Sequence, residues 1–117
     1  MNLIGTDVPQ GWLNSAVDAD LGRETAAFVV WVYGAYDLAN VGELAALMAE
    51  GIEGGLRLLV DLSGAVFIDA SVLGALVAAD NNLRGEGRRL AVRAPSPPAR
   101  RLLELCGLDG WHQHCAA

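Results

Sequence analysis

Hydrophobic residues fall along this chain in blocks whose period switches repeatedly between that of a strand and that of a helix. Ala27 to Tyr33 (AFVVWVY) is a β-branched and aromatic run closed by Gly34, which predicts a strand. After the turn GAYD, the residues Leu38, Val41, Leu44, Leu47, Met48 and Ile52 recur at helical spacing, with Glu43 and Glu50 on the other side. Gly51, Gly54 and Gly55 supply the stop signals for that helix. Leu56 to Leu62 (LRLLVDL) is a short apolar run of the kind buried on both faces of a parallel sheet.

The second half repeats the rhythm. From Ser71 to Leu83, the residues Val72, Leu73, Leu76, Val77, Ala79, Asp80 and Leu83 form one wide helical face, ended by Gly85 and Gly87. Arg88 to Ala94 (RRLAVRA) alternates like a strand at or near a sheet edge. Pro95, Ser96, Pro97 and Pro98 open a last helix, since proline is tolerated in a first turn. Its apolar residues are Leu102, Leu103, Leu105 and Cys106, and Gly107 ends it. A less regular stretch, Ser15 to Asp20, predicts one more strand ahead of the rest. Strands alternating with helices argue for an α/β sandwich, with crossover helices linking parallel strands.

Composition places these elements in one domain, residues 1–117, of which 1–12 have weak periodicity and are expected to be loosely attached. The 53% hydrophobic and 19% charged content fits a compact core rather than a disordered chain. The longest weakly charged stretch, Gly64 to Ala79, is broken by Asp69 and falls short of the ~20 residues a membrane span needs. No secretory leader opens the chain, so a cytoplasmic protein without membrane insertion is expected.

Charge is uneven within the net −6. Up to Asp80, eleven acidic residues stand against Arg23 and Arg57; after it, six arginines stand against three acids. An acidic chain is poorly suited to non-specific nucleic-acid binding, which relies on neutralising phosphates. The arginines at 84, 88, 89, 93, 100 and 101 read as a solvated face, or else as a docking patch.

The richest chemistry lies in Asp61 to Leu76 (DLSGAVFIDASVLGAL), where an apolar run ends in acidic and hydroxyl residues ahead of a helical stretch. Ser71 stands at the helix N-terminus with Asp69 two residues before it, close to the orphan backbone N–H groups of the first turn. Either residue serves as a cap, and a hydroxyl placed there also suits a charge-based switch. Asp37, just before the first helix, reads equally as a cap or as a contact. Ser63 and Ser96 read as turn residues, with Ser63 an outside candidate for modification.

Enzyme chemistry finds little support. Ser71 has no histidine near it in sequence, His112 and His114 lie at the far end, and no nucleophile elbow, phosphate-binding loop or dinucleotide fingerprint is present. Neither a cofactor nor a metal is expected, because Cys106, His112, His114 and Cys115 match no usual ligand spacing. Cys106 reads as a structural thiol on the buried face of the last helix; a redox-sensitive Cys106–Cys115 disulfide is the alternative.

Over about Ala27 to Trp111, these residues resemble STAS domains, the anti-sigma factor antagonists of bacterial partner-switching systems. The strand ending in Gly34 with Asp37 three residues on, the segment FIDASVLG at 67–74, and the strand, Ser-Pro turn and Leu-x-x-x-Gly-Leu ending over Leu90 to Leu108 carry the resemblance. It implies a STAS-type sandwich: a mixed, mostly parallel sheet of four to five strands with helices packed mainly on one face. It implies a binding antagonist rather than an enzyme, whose partner is an anti-sigma factor with a kinase-type ATP-binding fold. That partner phosphorylates the antagonist, and the unphosphorylated antagonist binds it and frees a sigma factor. By position, the phosphoacceptor is Ser71, with Asp37, Asp69, Ala70, Val72 and Leu73 as partner-contacting residues; a phosphatase would be needed to reset it. Many members carry Ser or Thr before the acceptor and Gly after it, where this chain has Ala70 and Val72. The same resemblance also admits a non-switching interaction subunit, for example of a membrane transport complex.

Overall fold

In the computed structural model, residues 11–18, 26–108 and 111 are described. Seven elements follow in chain order: β1 (Trp12–Asp18), β2 (Ala27–Tyr36), α1 (Val41–Glu53), β3 (Arg57–Ile68), α2 (Ala70–Arg84), β4 (Leu90–Arg93) and α3 (Pro97–Leu105). The sheet runs β1-β2-β3-β4, with β1 antiparallel to β2 and the other two pairings parallel. Parallel neighbours cannot be joined by a tight hairpin, and α1 and α2 supply the two crossovers. This is the mixed α/β architecture expected from the order of blocks.

Alternation along the strands sorts the core. Val30, Val32, Leu58 and Val60 point to the helical side, where they meet Leu44 and Met48 of α1, Val72 and Leu76 of α2, and Leu103 of α3. The residues between them turn to the other face, where Ala27, Val29, Leu59 and Ala91 cluster with Trp31 against them. Burial on both faces explains why Leu58, Leu59 and Val60 run without a polar alternate. Removing a fully buried side chain such as Leu76 would cost about 2–5 kcal/mol.

Several elements depart from the periodicity reading, each for a local reason. β2 continues past Gly34 to Tyr36, because Gly34 adopts φ 75° inside the strand and the register with β3 shifts there. β3 runs on past Leu62 to Ile68, since β2 keeps pairing with it to the end. Gly51 is no helix stop: it is buried inside α1, and a Cβ there would stand 2.5 Å from the Phe28 ring. Trp12 belongs to no loose leader; it pairs with Tyr33 in β1 and stacks on its ring at 4.9 Å. Residues 1–10 lie outside the described set.

The last helix is also phased differently. Ser96 caps it through Ala99 N–H at 3.4 Å, while its own N–H donates to the Leu62 carbonyl at 3.1 Å. That start turns Ala99 and Leu103 inward. Leu105 and Cys106 consequently face solvent, so Cys106 is an exposed cap residue and not a buried structural thiol. Cys115, His112 and His114 lie outside the described residues, as does any Cys106–Cys115 disulfide.

Most of the C-terminal arginines tie the fold together rather than forming an open patch. Arg89 Nε lies 3.1 Å from the buried Asp80, which also accepts Leu90 N–H at 2.9 Å and has Arg84 at 3.7 Å. Arg88 donates to the Leu56 and Ile52 carbonyls and pairs with Glu86. Arg93 pairs with Asp61 at 2.8 Å. Among the described residues, Arg100 and Arg101 of this set have no ion pair.

Candidate functional site

β2 and β3 end side by side, with Tyr36 opposite Ile68 in register. The next residues, Asp37 and Asp69, therefore leave the sheet together at the carboxyl ends of parallel strands, where α/β folds expose their loops. Each carboxylate turns back onto its own loop. Asp37 Oδ1 accepts Ala39 N–H at 2.9 Å, and its backbone N–H donates to Asn40 Oδ1 at 2.8 Å. Asn40 fastens the loop further by donating to the Ala35 carbonyl at 3.0 Å.

Asp69 is the N-cap of α2, in extended backbone with φ −117°. Its Oδ1 accepts the Ser71 backbone N–H at 2.9 Å and the Ser71 hydroxyl at 2.5 Å. The Ser71 hydroxyl holds the Asp69 carboxyl below its ordinary value; desolvation opposes it, and the backbone N–H groups of Ser71, Val72 and Leu38 add to the lowering. The Leu38 contact ties the loop after β2 to the start of α2. Ser71 is partly exposed and Ala70 exposed, and the Ser71 hydroxyl proton is committed to Asp69.

The sequence-derived set divides at this surface. Asp37, Asp69, Ala70 and Ser71 gather at one end of the sheet. Val72 and Leu73 do not join them: both are buried in the core under α2, because the helix phase set by the Asp69 cap turns them toward the sheet. Neither side chain is open to a docking molecule in this structure. Exposed apolar side chains stand at this end instead: Leu38, which the helical spacing assigned to the first helix, precedes α1 and is 76% exposed, with Val66 and Phe67 close before Asp69. The available signal was an apolar residue where a loop should be polar, as in YDLAN at 36–40.

A second Asp-x-Ser pair went unrecognised as such. Asp61 Oδ1 accepts the Ser63 N–H at 2.9 Å and hydroxyl at 2.6 Å, while Oδ2 accepts from Arg93, which lies over the Trp31 ring. Burial pushes the Asp61 carboxyl up, but the Ser63 and Arg93 hydrogen bonds outweigh it and hold the pKa below the ordinary value. This pair sits within the sheet and not at a helix entrance, which makes it a brace between β3 and β4. On the opposite side of the sheet, the Tyr36 hydroxyl is buried without a hydrogen-bond partner among the described residues, and burial together with the nearby Glu43 carboxylate raises its pKa.

No helix among the described residues is long and apolar enough to cross a membrane. Among the same residues no group of three His, Cys, Asp or Glu could hold a metal ion.

The family described as Mlab, STAS domain, matches residues 19–113. The chain belongs to the STAS domain family. Its fold is similar to solved structures of anti-sigma factor antagonists. An anti-sigma factor antagonist from Mycobacterium paratuberculosis is 27% identical, with 86% of this chain and 83% of that one covered and a TM-score of 0.70. The anti-sigma factor antagonist SpoIIAA in its unphosphorylated form is 22% identical over 85% of each chain, with a TM-score of 0.68. The Bacillus cell fate determinant SpoIIAA in its phosphorylated form is likewise 22% identical over 85% of this chain and 88% of that chain, at 0.62. No curated protein sequence matches.

Proposed function

We propose that this STAS chain is a cytoplasmic, single-domain anti-sigma factor antagonist that docks on an anti-sigma factor with a kinase-type ATP-binding fold and is switched off by phosphorylation of Ser71. The observation that carries the reading is the Ser71 hydroxyl, fixed by Asp69 at the mouth of α2 on a partly exposed residue. The antagonist from Mycobacterium paratuberculosis supports the class of partner. SpoIIAA, with structures in unphosphorylated and phosphorylated forms, supports a phosphate on a protein of this fold.

The docking surface comprises Asp37, Leu38, Asp69, Ala70 and Ser71, bordered by Val66 and Phe67. In the transfer, Ser71 Oγ bonds to the γ-phosphorus of the partner's ATP as the bond to the ADP oxygen breaks. The hydroxyl proton leaves with it. Asp69 is a weak base because its pKa is depressed, so it orients the hydroxyl while a group on the partner takes the proton. The product carries roughly −1.5 to −2 charge beside Asp69 and Asp37, where it repels a packed partner. The helix N-terminus offsets part of that cost inside the free chain, by about 0.3–1 kcal/mol, so the fold survives while binding is lost. A separate phosphatase resets the hydroxyl.

The test is binding of wild type, Ser71→Ala and Ser71→Glu to the cognate anti-sigma factor, with intact-mass analysis after incubation with that factor and ATP. Binding by wild type and Ser71→Ala, loss in Ser71→Glu, and one phosphate mapped to Ser71 are expected. Equal binding by all three, with no phosphate added, would leave a non-switching docking subunit instead.

A further inference from the structure

Among the described residues the sheet has two edge strands, β4 and β1. β4 is four residues long, and shortness is one of the devices that keep an edge from pairing with another chain. β1 is seven residues long and reads WLNSAVD, with no proline, no lysine and no charge before its final Asp18. It pairs with β2 in one unbroken register, so no bulge turns the strand away. Val17 on this strand is 59% exposed, and Ala16 beside it is exposed as well.

Which backbone groups face that edge follows from β2. The Ala26 carbonyl points toward β3, where it accepts Arg57 N–H at 3.4 Å. Backbone groups alternate in direction along a strand, so Ala27, Val29, Trp31 and Tyr33 point the other way, into β1. Their partners there are Asp18, Ala16, Asn14 and Trp12. Leu13, Ser15 and Val17 therefore turn their N–H and C=O groups outward. The Ser15 N–H agrees with this, since it donates to the side-chain Oδ1 of the exposed Asn14 at 3.0 Å.

These three outward residues are symmetric about Ser15. An antiparallel copy laid along the edge sets Ser15 opposite Ser15 and Leu13 of each copy opposite Val17 of the other, so that outward donors meet outward acceptors. Leu13 packs against the core on the helical face, and alternation puts Val17 on that same face, where it gains a cross-strand apolar neighbour. On the other face Trp12 meets Asp18 and Asn14 meets Ala16, so no like charges stand opposite each other. A foreign strand would have to match this spacing; a second copy carries it already. We propose that two copies of this chain pair antiparallel through β1, about a two-fold axis at Ser15 that runs perpendicular to the sheet. Asn14 then gives up its bond to the Ser15 N–H, an exposed contact that water replaces. One strand pair buries less than the ~1,200 Å² of a standard complex, which makes the dimer weak. The contact depends neither on Ser71 nor on any anti-sigma factor.

Sedimentation equilibrium on the full chain, from about 10 µM to about 1 mM, reads the association. A monomer–dimer equilibrium is expected. It should hold as salt rises to about 0.5 M, because no charge lies between Trp12 and Val17 and each copy carries net −6. Amide hydrogen exchange locates the contact: the N–H groups of Leu13, Ser15 and Val17 should exchange about threefold or more slowly in concentrated than in dilute protein. Those of Asn14 and Ala16, already turned into β2, should not change. Val17→Lys should weaken association about tenfold or more with an unchanged melting curve, as lysine does on natural edges. Ser15→Pro removes the central outward donor and leaves the β1–β2 ladder its own donors, so it should act likewise. A chain that stays monomeric throughout, a dimer that Val17→Lys leaves undiminished, or protection that grows away from Leu13, Ser15 and Val17 would each overturn the proposal.

Discussion

Ser71 and Asp69 are joined twice, since the hydroxyl at 2.5 Å and the backbone N–H at 2.9 Å donate to the same carboxylate oxygen. Cap and proposed phosphoacceptor are therefore one unit. A phosphate on Oγ removes one donor from Asp69 and leaves the backbone donor in place, so the helix start persists through the modification.

Asp69→Ala should destabilise the chain by about 1 kcal/mol in urea unfolding, the usual cost of a lost N-cap, with Asp69→Asn close to wild type. Because the Asp69 pKa is depressed on folding, its contribution is present above the ordinary value of 3.8 and lost as pH falls through the lower folded value. The gap between wild type and Asp69→Ala should narrow in acid.

Arg93→Ala leaves Asp61, only 6% exposed, with Ser63 as its remaining partner. A loss of about 1–3 kcal/mol at neutral pH is expected, because a buried carboxylate loses its counter-charge. The wild-type Asp61 pKa is also lowered, so this difference too should shrink toward low pH; a gap that stays constant with pH would argue against the ion pair as its source.

Gly64→Ala places a Cβ 2.4 Å from Tyr33 Cδ1 and 3.2 Å from the Val32 carbonyl oxygen. Tyr33 must swing away and give up its stacking on Trp12. A loss of about 1–3 kcal/mol is expected from overpacking, with a change in tryptophan emission reporting the broken stack.

Cys106 should react with a thiol reagent in the native protein at a rate close to that of a free thiol, since it is exposed. Cys106→Ser should change stability by less than about 0.5 kcal/mol. A thiol that reacts only after unfolding would restore the buried reading.

Much of the fold was legible because it rests on short-range patterns. Val72, Leu73, Leu76 and Leu83 recur with the helical period, and the β-branched run from Phe28 to Tyr33 suits a pleated surface whatever its neighbours. Asp69 and Ser71 were legible for the same reason, as capping is a contact between residues two apart. Asp80's place on the inner face of α2 was legible too, but its partners were not: Arg89 and Leu90 are nine and ten residues away across a turn. Gly51 looked like a terminator because its true reason, the Phe28 ring above it, comes from another element. Cys106 was misassigned because one more residue of apolar character could not reveal the phase that Ser96 and the Leu62 carbonyl impose on α3.

By itself, then, the sequence determined the alternation of strands and helices, the two-faced burial of the central strands and the cap that presents Ser71, all consequences of period and of bonds between near neighbours. Tertiary structure alone decided how far β2 and β3 extend, that Asp37 and Asp69 leave the sheet together, and that Leu38 turns out. Those outcomes depend on register between strands and on the phase of a helix against the sheet. Both are fixed by contacts between residues far apart in the chain.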